Sequence, residues 1–258
     1  MDNSVLLSAS HLKKKYRIDR KNSIYAVNDV SLDIFTGETL ALVGESGCGK
    51  STLSKILMQI IKPDEGTVSF EGKEISSLSE RALRPYRSRM QMVFQDPASS
   101  LDPRMKIRDI IAEPLKAFKI YGTQAEMNDR ILELTDMVEL KEDCLDRYPH
   151  EFSGGQKQRI GIARAIAVSP KLLVCDESVS ALDVCIQAQI LNLLKRLKNQ
   201  LGLTCLFISH DLSVVSFIAD RVCVMKNGAI CELAPAEKIY STPEHEYTKY
   251  LLASVYCP

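Results

Sequence analysis

The sequence predicts an α/β fold: a mixed-sheet core with an antiparallel β-subdomain and an inserted α-helical subdomain. Two observations predict the core. Short runs near the start alternate in character and read as antiparallel strands, whereas TLALVG, MQMVF, LLVCD and TCLFIS are near-continuously apolar, as strands of a parallel sheet covered on both faces are. A third predicts the insertion: between Gln95 and about residue 169 there are helical stretches but no convincing strand.

Taken in order, VLLSAS (5–10) and AVNDVSLDI (26–34) read as the first strands and TLALVG (39–44) as the first core strand. LSKILMQII places Leu53, Ile56, Leu57, Ile60 and Ile61 on one helical face. GTVSF (66–70) and MQMVF (90–94) return to strand, and KIRDIIAEPLKAF (106–118) and QAEMNDRILELTDMV (124–138) are helical. LLVCD (172–176) resumes the core, and ALDVCIQAQILNLLKRLKNQL carries a stripe of Ile186, Ile190, Leu193, Leu194, Leu197 and Leu201. TCLFIS (204–209), RVCVM (221–225) and AICEL (229–233) complete the strands. The expected organisation is one domain over 1–258, with a core of 1–94 and 170–240, a helical subdomain over 95–169 and a tail over 241–258.

Composition narrows the function. Lys plus Arg and Asp plus Glu each number 33, so there is no basic excess to attract nucleic acid, and Lys13 to Lys15 read as a solvated patch. No stretch approaches the 18 or more apolar residues of a membrane span; the longest candidate, LGLTCLFISH, is closed by His210 and Asp211. The first residues begin acidic, with apolar positions ahead of the lysines, the reverse of a secretory signal, so a cytosolic protein is expected. The eight cysteines show no metal-ligand spacing, and buried free thiols are expected.

VGESGCGKST fits GxxxxGK[ST] through Gly44, Gly49, Lys50 and Ser51, after an apolar strand and before an amphipathic helix, the two contexts this phosphate loop requires. The core is therefore expected to be a P-loop NTPase, with Gly44, Glu45, Ser46, Gly47, Cys48, Gly49, Lys50, Ser51 and Thr52 around the nucleotide phosphates. Lys50 reaches the β- and γ-phosphates, and the Ser51 hydroxyl binds Mg²⁺. KLLVCDES ends a buried strand in two carboxylates: Asp176 can hold Mg²⁺ through water, and Glu177 can accept a proton from attacking water. An acidic pair after a strand is common, and the phosphate loop is what gives this one its meaning. His210 after TCLFIS and Gln95 after MQMVF end apolar strands in the same manner; His210 is expected at the γ-phosphate, and Gln95 at Mg²⁺ or the water. EFSGGQKQRI adds a glycine pair at the start of a polar helix, a half-built phosphate binder without the lysine and hydroxyl of the first.

Together these pieces resemble the nucleotide-binding subunit of ATP-binding cassette (ABC) transporters, from Tyr16 to the tail. The resemblance supplies an owner for the second half-device: Ser153, Gly154, Gly155 and Gln156, with Asp183, would contact the nucleotide of a second cassette in trans, in a head-to-tail dimer. It also implies that Tyr16 stacks on adenine, that Gln95 is the Q-loop residue, that Ser180 to Asp183 (SALD) form the D-loop, and that His210 is the switch histidine. The signature begins with Phe152 where the general family has Leu. QDPASSLDPRMKI and YPHEFSGGQKQRIGIARAI resemble the oligopeptide, dipeptide and nickel importer group, in particular its second ATPase subunit, and the tail is similar to that group's C-terminal motif with Glu246 in place of Pro.

The implied function is an ATP-hydrolysing, energy-coupling subunit of an import system for peptides or nickel, using ATP and Mg²⁺ at the cytoplasmic face of the membrane. The implied partners are a second ABC ATPase, related or identical, two transmembrane permease subunits and, indirectly, an extracytoplasmic solute-binding protein. The alternative is a soluble ABC ATPase of a non-transport complex, such as a phosphonate-degradation assembly. A nucleotide-gated scaffold without turnover is disfavoured, because every hydrolytic residue is present.

Overall fold

The computed structural model describes residues 4–17, 19, 23–180 and 182–256, so Ala181 of the SALD stretch and Cys257 lie outside the described residues. In chain order the elements are β1 (Val5–Arg17), β2 (Ser23–Phe35), β3 (Thr39–Val43), α1 (Lys50–Leu57), β4 (Glu65–Phe70), β5 (Lys73–Glu74) and α2 (Glu80–Arg89). They continue with β6 (Met90–Val93), α3 (Pro97–Ser100), α4 (Ile107–Phe118), α5 (Gln124–Met137), α6 (Gly154–Ile166), β7 (Leu172–Asp176) and α7 (Val184–Leu201). The chain closes with β8 (Thr204–Ser209), α8 (Leu212–Ile218), β9 (Arg221–Lys226), β10 (Ala229–Pro235), α9 (Ala236–Ser241) and α10 (Glu246–Tyr256). Two compact units result, Met1–Arg84 with Thr204–Pro258, and Pro85–Leu203.

In the first unit β1 pairs antiparallel with both β2 and β4, and β4 with β5. A second set is built on β3, which pairs in parallel with β8 on one side and β9 on the other, while β10 lies antiparallel to β9. Every residue of β3 and of β8 is buried, which explains why their sequences lack alternation. Leu53, Ile56 and Leu57 are buried on α1, but the helix stops at Leu57 and Gln59 takes a left-handed φ of 52°. The expected continuation of the apolar face fails there: Ile60 lies beyond the helix and is exposed.

In the second unit β6 and β7 are parallel, in a register that opposes Met90 to Leu172 and Val93 to Cys175. Among the described residues between these strands the regular elements are α3 to α6 and two short 3₁₀ turns, Glu142–Asp146 and Pro149–Glu151. Thr123 and Glu126 form a reciprocal capping box that starts α5, as do Ser153 and Gln156 for α6. Glu139, past the end of α5, takes Arg159 of α6 at 2.6 Å and Arg196 of α7 at 2.7 Å, which fixes three helices to one carboxylate. The Arg159 bond holds that carboxyl below its ordinary value. Helix α7 begins at Val184, just ahead of the first stripe residue Ile186, and the Asp183 carboxylate caps it by accepting the Ile186 N–H at 3.0 Å.

Among the described residues no helix is long and apolar enough to cross a membrane, and none of the seven cysteines forms a disulfide. Cys185 departs from the buried expectation and is exposed.

Candidate functional site

Strand β3 delivers the chain to the phosphate loop, and the loop's backbone explains its glycines. Gly44 (φ 152°) and Gly49 (φ 112°) occupy conformations that side chains rarely adopt, and a Cβ on either would strike main-chain oxygen, that of Met225 for Gly44 and of Ala26 for Gly49. Glu45, Ser46 and Gly47 are exposed, Cys48 is buried, and Ser51 and Thr52 open α1 with Ser51 exposed. Lys50 is only 4 % exposed. Its ammonium turns back into the loop and donates to the carbonyl oxygens of Gly44 at 2.7 Å and Glu45 at 2.9 Å. Burial pushes the Cys48 thiol above its ordinary value, against the opposing pull of Lys50, so Cys48 is a neutral packing group at neutral pH.

Two outside contacts tether the loop. The Gly228 N–H, in the turn between β9 and β10, donates to the Cys48 carbonyl at 2.9 Å, and the Glu45 N–H donates to the Tyr247 hydroxyl at 3.2 Å. In the same unit His210 stands exposed at the end of β8. Asp211 follows it and caps α8, accepting the Ser213 N–H at 2.8 Å. Tyr16, near the end of β1, faces Ile24 of β2 and keeps a partly exposed ring.

The second unit holds the carboxylates. Asp176, the last residue of β7, is 8 % exposed, and the chain turns at once through Glu177, whose φ of 44° is left-handed for a residue with a side chain. The Glu177 carbonyl accepts both the N–H and the hydroxyl of Ser180, at 3.1 and 2.9 Å, which closes that turn. The turn brings the Glu177 carboxylate to Gln95, whose amide nitrogen donates to it at 2.8 Å across 82 residues of sequence. Gln95 makes this bond through its amide nitrogen and not through its amide oxygen. That oxygen and the Asp176 carboxylate are hard oxygen donors, the chemistry that suits Mg²⁺.

Helix α6 begins at the glycine pair. Ser153 caps it, with its hydroxyl accepting the Gln156 N–H at 3.4 Å and the Gln156 side chain accepting the Ser153 N–H at 3.0 Å. Ser153, Gly154 and Gln156 are exposed, and Gly155 is buried. A Cβ at Gly154 would lie 3.2 Å from the Leu182 side chain, and one at Gly155 would lie 2.5 Å from Cγ2 of Ile186. The glycines therefore let α6 start against the first turn of α7, and they place Ser153 to Gln156 beside the turn that contains Asp183.

The family model described as ABC transporter matches residues 27–180. The chain belongs to the ABC transporter ATP-binding family. This cassette is 49 % identical over 254 residues to the oligopeptide transport ATP-binding protein OppF of Bacillus subtilis, covering 98 % of this chain and 83 % of that one. It is likewise 49 % identical over 255 residues to the dipeptide transport ATP-binding protein DppF of Lactococcus lactis, covering 98 % and 82 % of the two chains. Among solved structures, the ATP-binding cassette MJ0796, a dimer in a post-hydrolysis state bound to ADP and Pi, superposes with a TM-score of 0.81 at 31 % identity, covering 90 % of this chain and 99 % of that one. The fold is that of the ABC cassettes, and the chain is an ATPase.

Within the cassette, the structure brings Gln95 to Glu177, and the FSGGQ start to the first turn of α7. It also brings to the phosphate loop a residue that motif reading missed. Tyr247 is 202 positions from Glu45, on a helix the periodicity did not reveal, and no local pattern connects the two.

Proposed function

We propose that this chain is the energy-coupling ATPase of a peptide importer, acting as one half of a pair of cassettes that enclose ATP between them. The observation that carries the pairing is the FSGGQ start: Ser153, Gly154 and Gln156 are exposed at a capped helix N-terminus, a phosphate-binding surface that duplicates what residues 44–52 already provide. A second cassette gives it a ligand. The likeness to OppF and DppF over nearly the whole chain supports peptides as the cargo class ahead of nickel. The second cassette is a related ATPase or a second copy of this chain.

In this reading ATP lies along the loop of Gly44 to Thr52, with Tyr16 against adenine. Lys50 exchanges its bonds to two carbonyl oxygens for the β- and γ-phosphate oxygens, which brings its charge onto the group that leaves. Ser51, Asp176 and Gln95 would hold Mg²⁺, which supplies charge neutralisation at the phosphates. Glu177 accepts the proton of the attacking water, and the 2.8 Å bond from the Gln95 amide orients that carboxylate. His210 contacts the γ-phosphate from its own chain; Ser153 to Gln156 and Asp183 contact it from the partner. Loss of the γ-phosphate removes the contact that closes the pair, and the opening is passed to two permease subunits, with residues 95–169 as the segment that receives them and 1–94 with 170–240 as the nucleotide-binding core. The chain would then work peripherally on the cytoplasmic face of the membrane, and only the permease would meet the solute-binding protein.

The test is a tagged Glu177→Gln chain loaded with MgATP and recovered from gently solubilised membranes. Co-purification of a multi-span permease with a second cassette is the expected result. Recovery of soluble enzymes alone would overturn the importer reading and move the same ATPase to a non-transport complex.

A further inference from the structure

Helix α10 lies in the tail, outside the nucleotide-binding motifs, and it places one side chain on the phosphate loop. Its start is fixed by Glu232 of β10, whose carboxylate accepts the N–H groups of Glu244 at 2.9 Å and His245 at 3.0 Å. The Tyr247 N–H then donates to Nδ1 of His245 at 3.0 Å, closing a turn that points the tyrosine inward, where it is 5 % exposed. Lys226 of β9 lies over the ring, its ammonium 4.5 Å from the centroid. Tyr250, one turn on, stacks at 6.5 Å between centroids and is itself largely exposed. The inward hydroxyl accepts the main-chain N–H of Glu45 at 3.2 Å.

The Gly44–Glu45 peptide that donates this N–H also carries the Gly44 carbonyl, which accepts from the Lys50 ammonium at 2.7 Å. One peptide group thus meets the hydroxyl of the tail helix on its amide side and the phosphate-seeking ammonium on its oxygen side, and the carbonyl of the following peptide accepts from the same ammonium at 2.9 Å. Fixing Glu45 fixes the entrance of the loop, opposite the Cys48 carbonyl that Gly228 fixes from the β9–β10 turn. A loop held at both ends loses less conformational freedom when it closes on phosphate.

We propose that Tyr247 is a positioning residue for the nucleotide: its hydroxyl holds the Glu45 peptide in the phosphate-ready conformation, and through it the docking of α10 and the binding of nucleotide reinforce one another. The proposal rests on the reading of residues 44–52 as the nucleotide loop. Because linkage is reciprocal, a tail helix that favours nucleotide must be favoured by it. A protein that contacts α10 would then alter nucleotide affinity without touching the site.

The experiment is MgADP titration of the purified full chain by calorimetry, with hydrogen exchange followed over residues 44–52 and 246–256. Tyr247→Phe keeps the ring, its stacking and its lysine while removing only the hydroxyl. The variant is expected to bind MgADP about three- to tenfold more weakly, the factor one such bond is worth, and to exchange its loop amides faster. Tyr250→Phe on the same helix is expected to match the wild type. MgADP should protect residues 246–256 in the wild type and protect them less in Tyr247→Phe. In turnover, the KM for ATP should rise with kcat held within about twofold; a fall in kcat at unchanged KM would overturn the positioning role. So would wild-type affinity in Tyr247→Phe, or a tail helix indifferent to MgADP. Lys50→Ala tests the underlying reading separately: wild-type affinity in that variant would remove the nucleotide loop itself, whatever Tyr247 does.

Discussion

Replacing Gly155 by alanine tests whether the signature glycine serves the chain or its ligand. The new Cβ would lie 2.5 Å from Cγ2 of Ile186 and 3.8 Å from its Cβ. Carbon atoms pack at about 3.5–4.0 Å, so roughly 1 Å must be found. The obstructing methyl belongs to a β-branched residue in a helix, where χ1 has one strongly preferred well and cannot swing away cheaply. Neither backbone yields easily, because the capping box fixes the start of α6 and Asp183 the start of α7. Overpacking of this kind costs about 1–3 kcal/mol, and the helix preference of alanine returns at most about 1 kcal/mol. The expected net loss is about 1–2 kcal/mol, or a melting midpoint lower by roughly 2–8 °C. Urea unfolding of wild type, Gly155→Ala, Ile186→Ala and the double variant checks it: removing Cγ2 leaves only the 3.8 Å contact, so the double variant should be more stable than the sum of the single losses by about 1 kcal/mol. A Gly155→Ala chain as stable as wild type, or strict additivity, would refute the packing argument. Phosphate release then separates the two roles: a double variant with restored stability but no turnover places the need for glycine at the nucleotide.

Glu177→Gln should lower phosphate release by about 10²–10⁴-fold while leaving MgATP affinity near wild type; wild-type turnover would remove Glu177 as the base. Glu232→Ala strips the acceptor from two N–H groups ahead of α10 and should cost about 1–2 kcal/mol in urea unfolding. Burial opposes ionisation of Glu232, but the Glu244 and His245 N–H groups prevail and its carboxyl lies below the ordinary value, so its stabilisation is present above about pH 4.5 and lost as pH falls through the lower folded value. Glu232→Gln should flatten that acid limb, and an unchanged limb would count against the assignment. With a thiol alkylating agent at pH 7.5, exposed Cys185 should label well before Cys48, whose thiol is buried and protonated; MgATP should slow Cys48 further, and equal labelling of Cys48 with and without nucleotide would argue against the loop as the phosphate site.

What was legible in the sequence was whatever is written locally. The phosphate loop could be read because strand, glycines, lysine and helix follow one another within about a dozen residues, and the parallel strands because burial on both faces erases alternation. The end of α1 is not legible because apolar residues continue past it: Ile60 keeps the period of the face, but the left-handed turn at Gln59 carries it into solvent. Helix α2 escaped notice because it buries only Leu83 and contains Pro85, so neither periodicity nor propensity marks it. The left-handed φ of Glu177 has no sequence signal either, since Asn or Gly would be the usual residue there.

Several site residues serve the chain as well as the proposed ligand. Ser153 and Gln156 satisfy each other's main chain at a helix start, Asp183 caps α7, Gly155 makes room for Ile186, and Gln95 holds Glu177. Each has a structural task sufficient to explain its residue type, so lost activity on mutation does not by itself assign it to the ligand. Discrimination requires changes that separate the tasks. Asp183→Asn and Ser153→Thr keep a capping oxygen while altering charge or bulk at the presented surface. If those variants unfold like wild type but lose turnover, the exposed face is the functional one. If they lose stability and turnover in proportion, the helix starts are structural and the surface that duplicates the phosphate loop has no second nucleotide to meet.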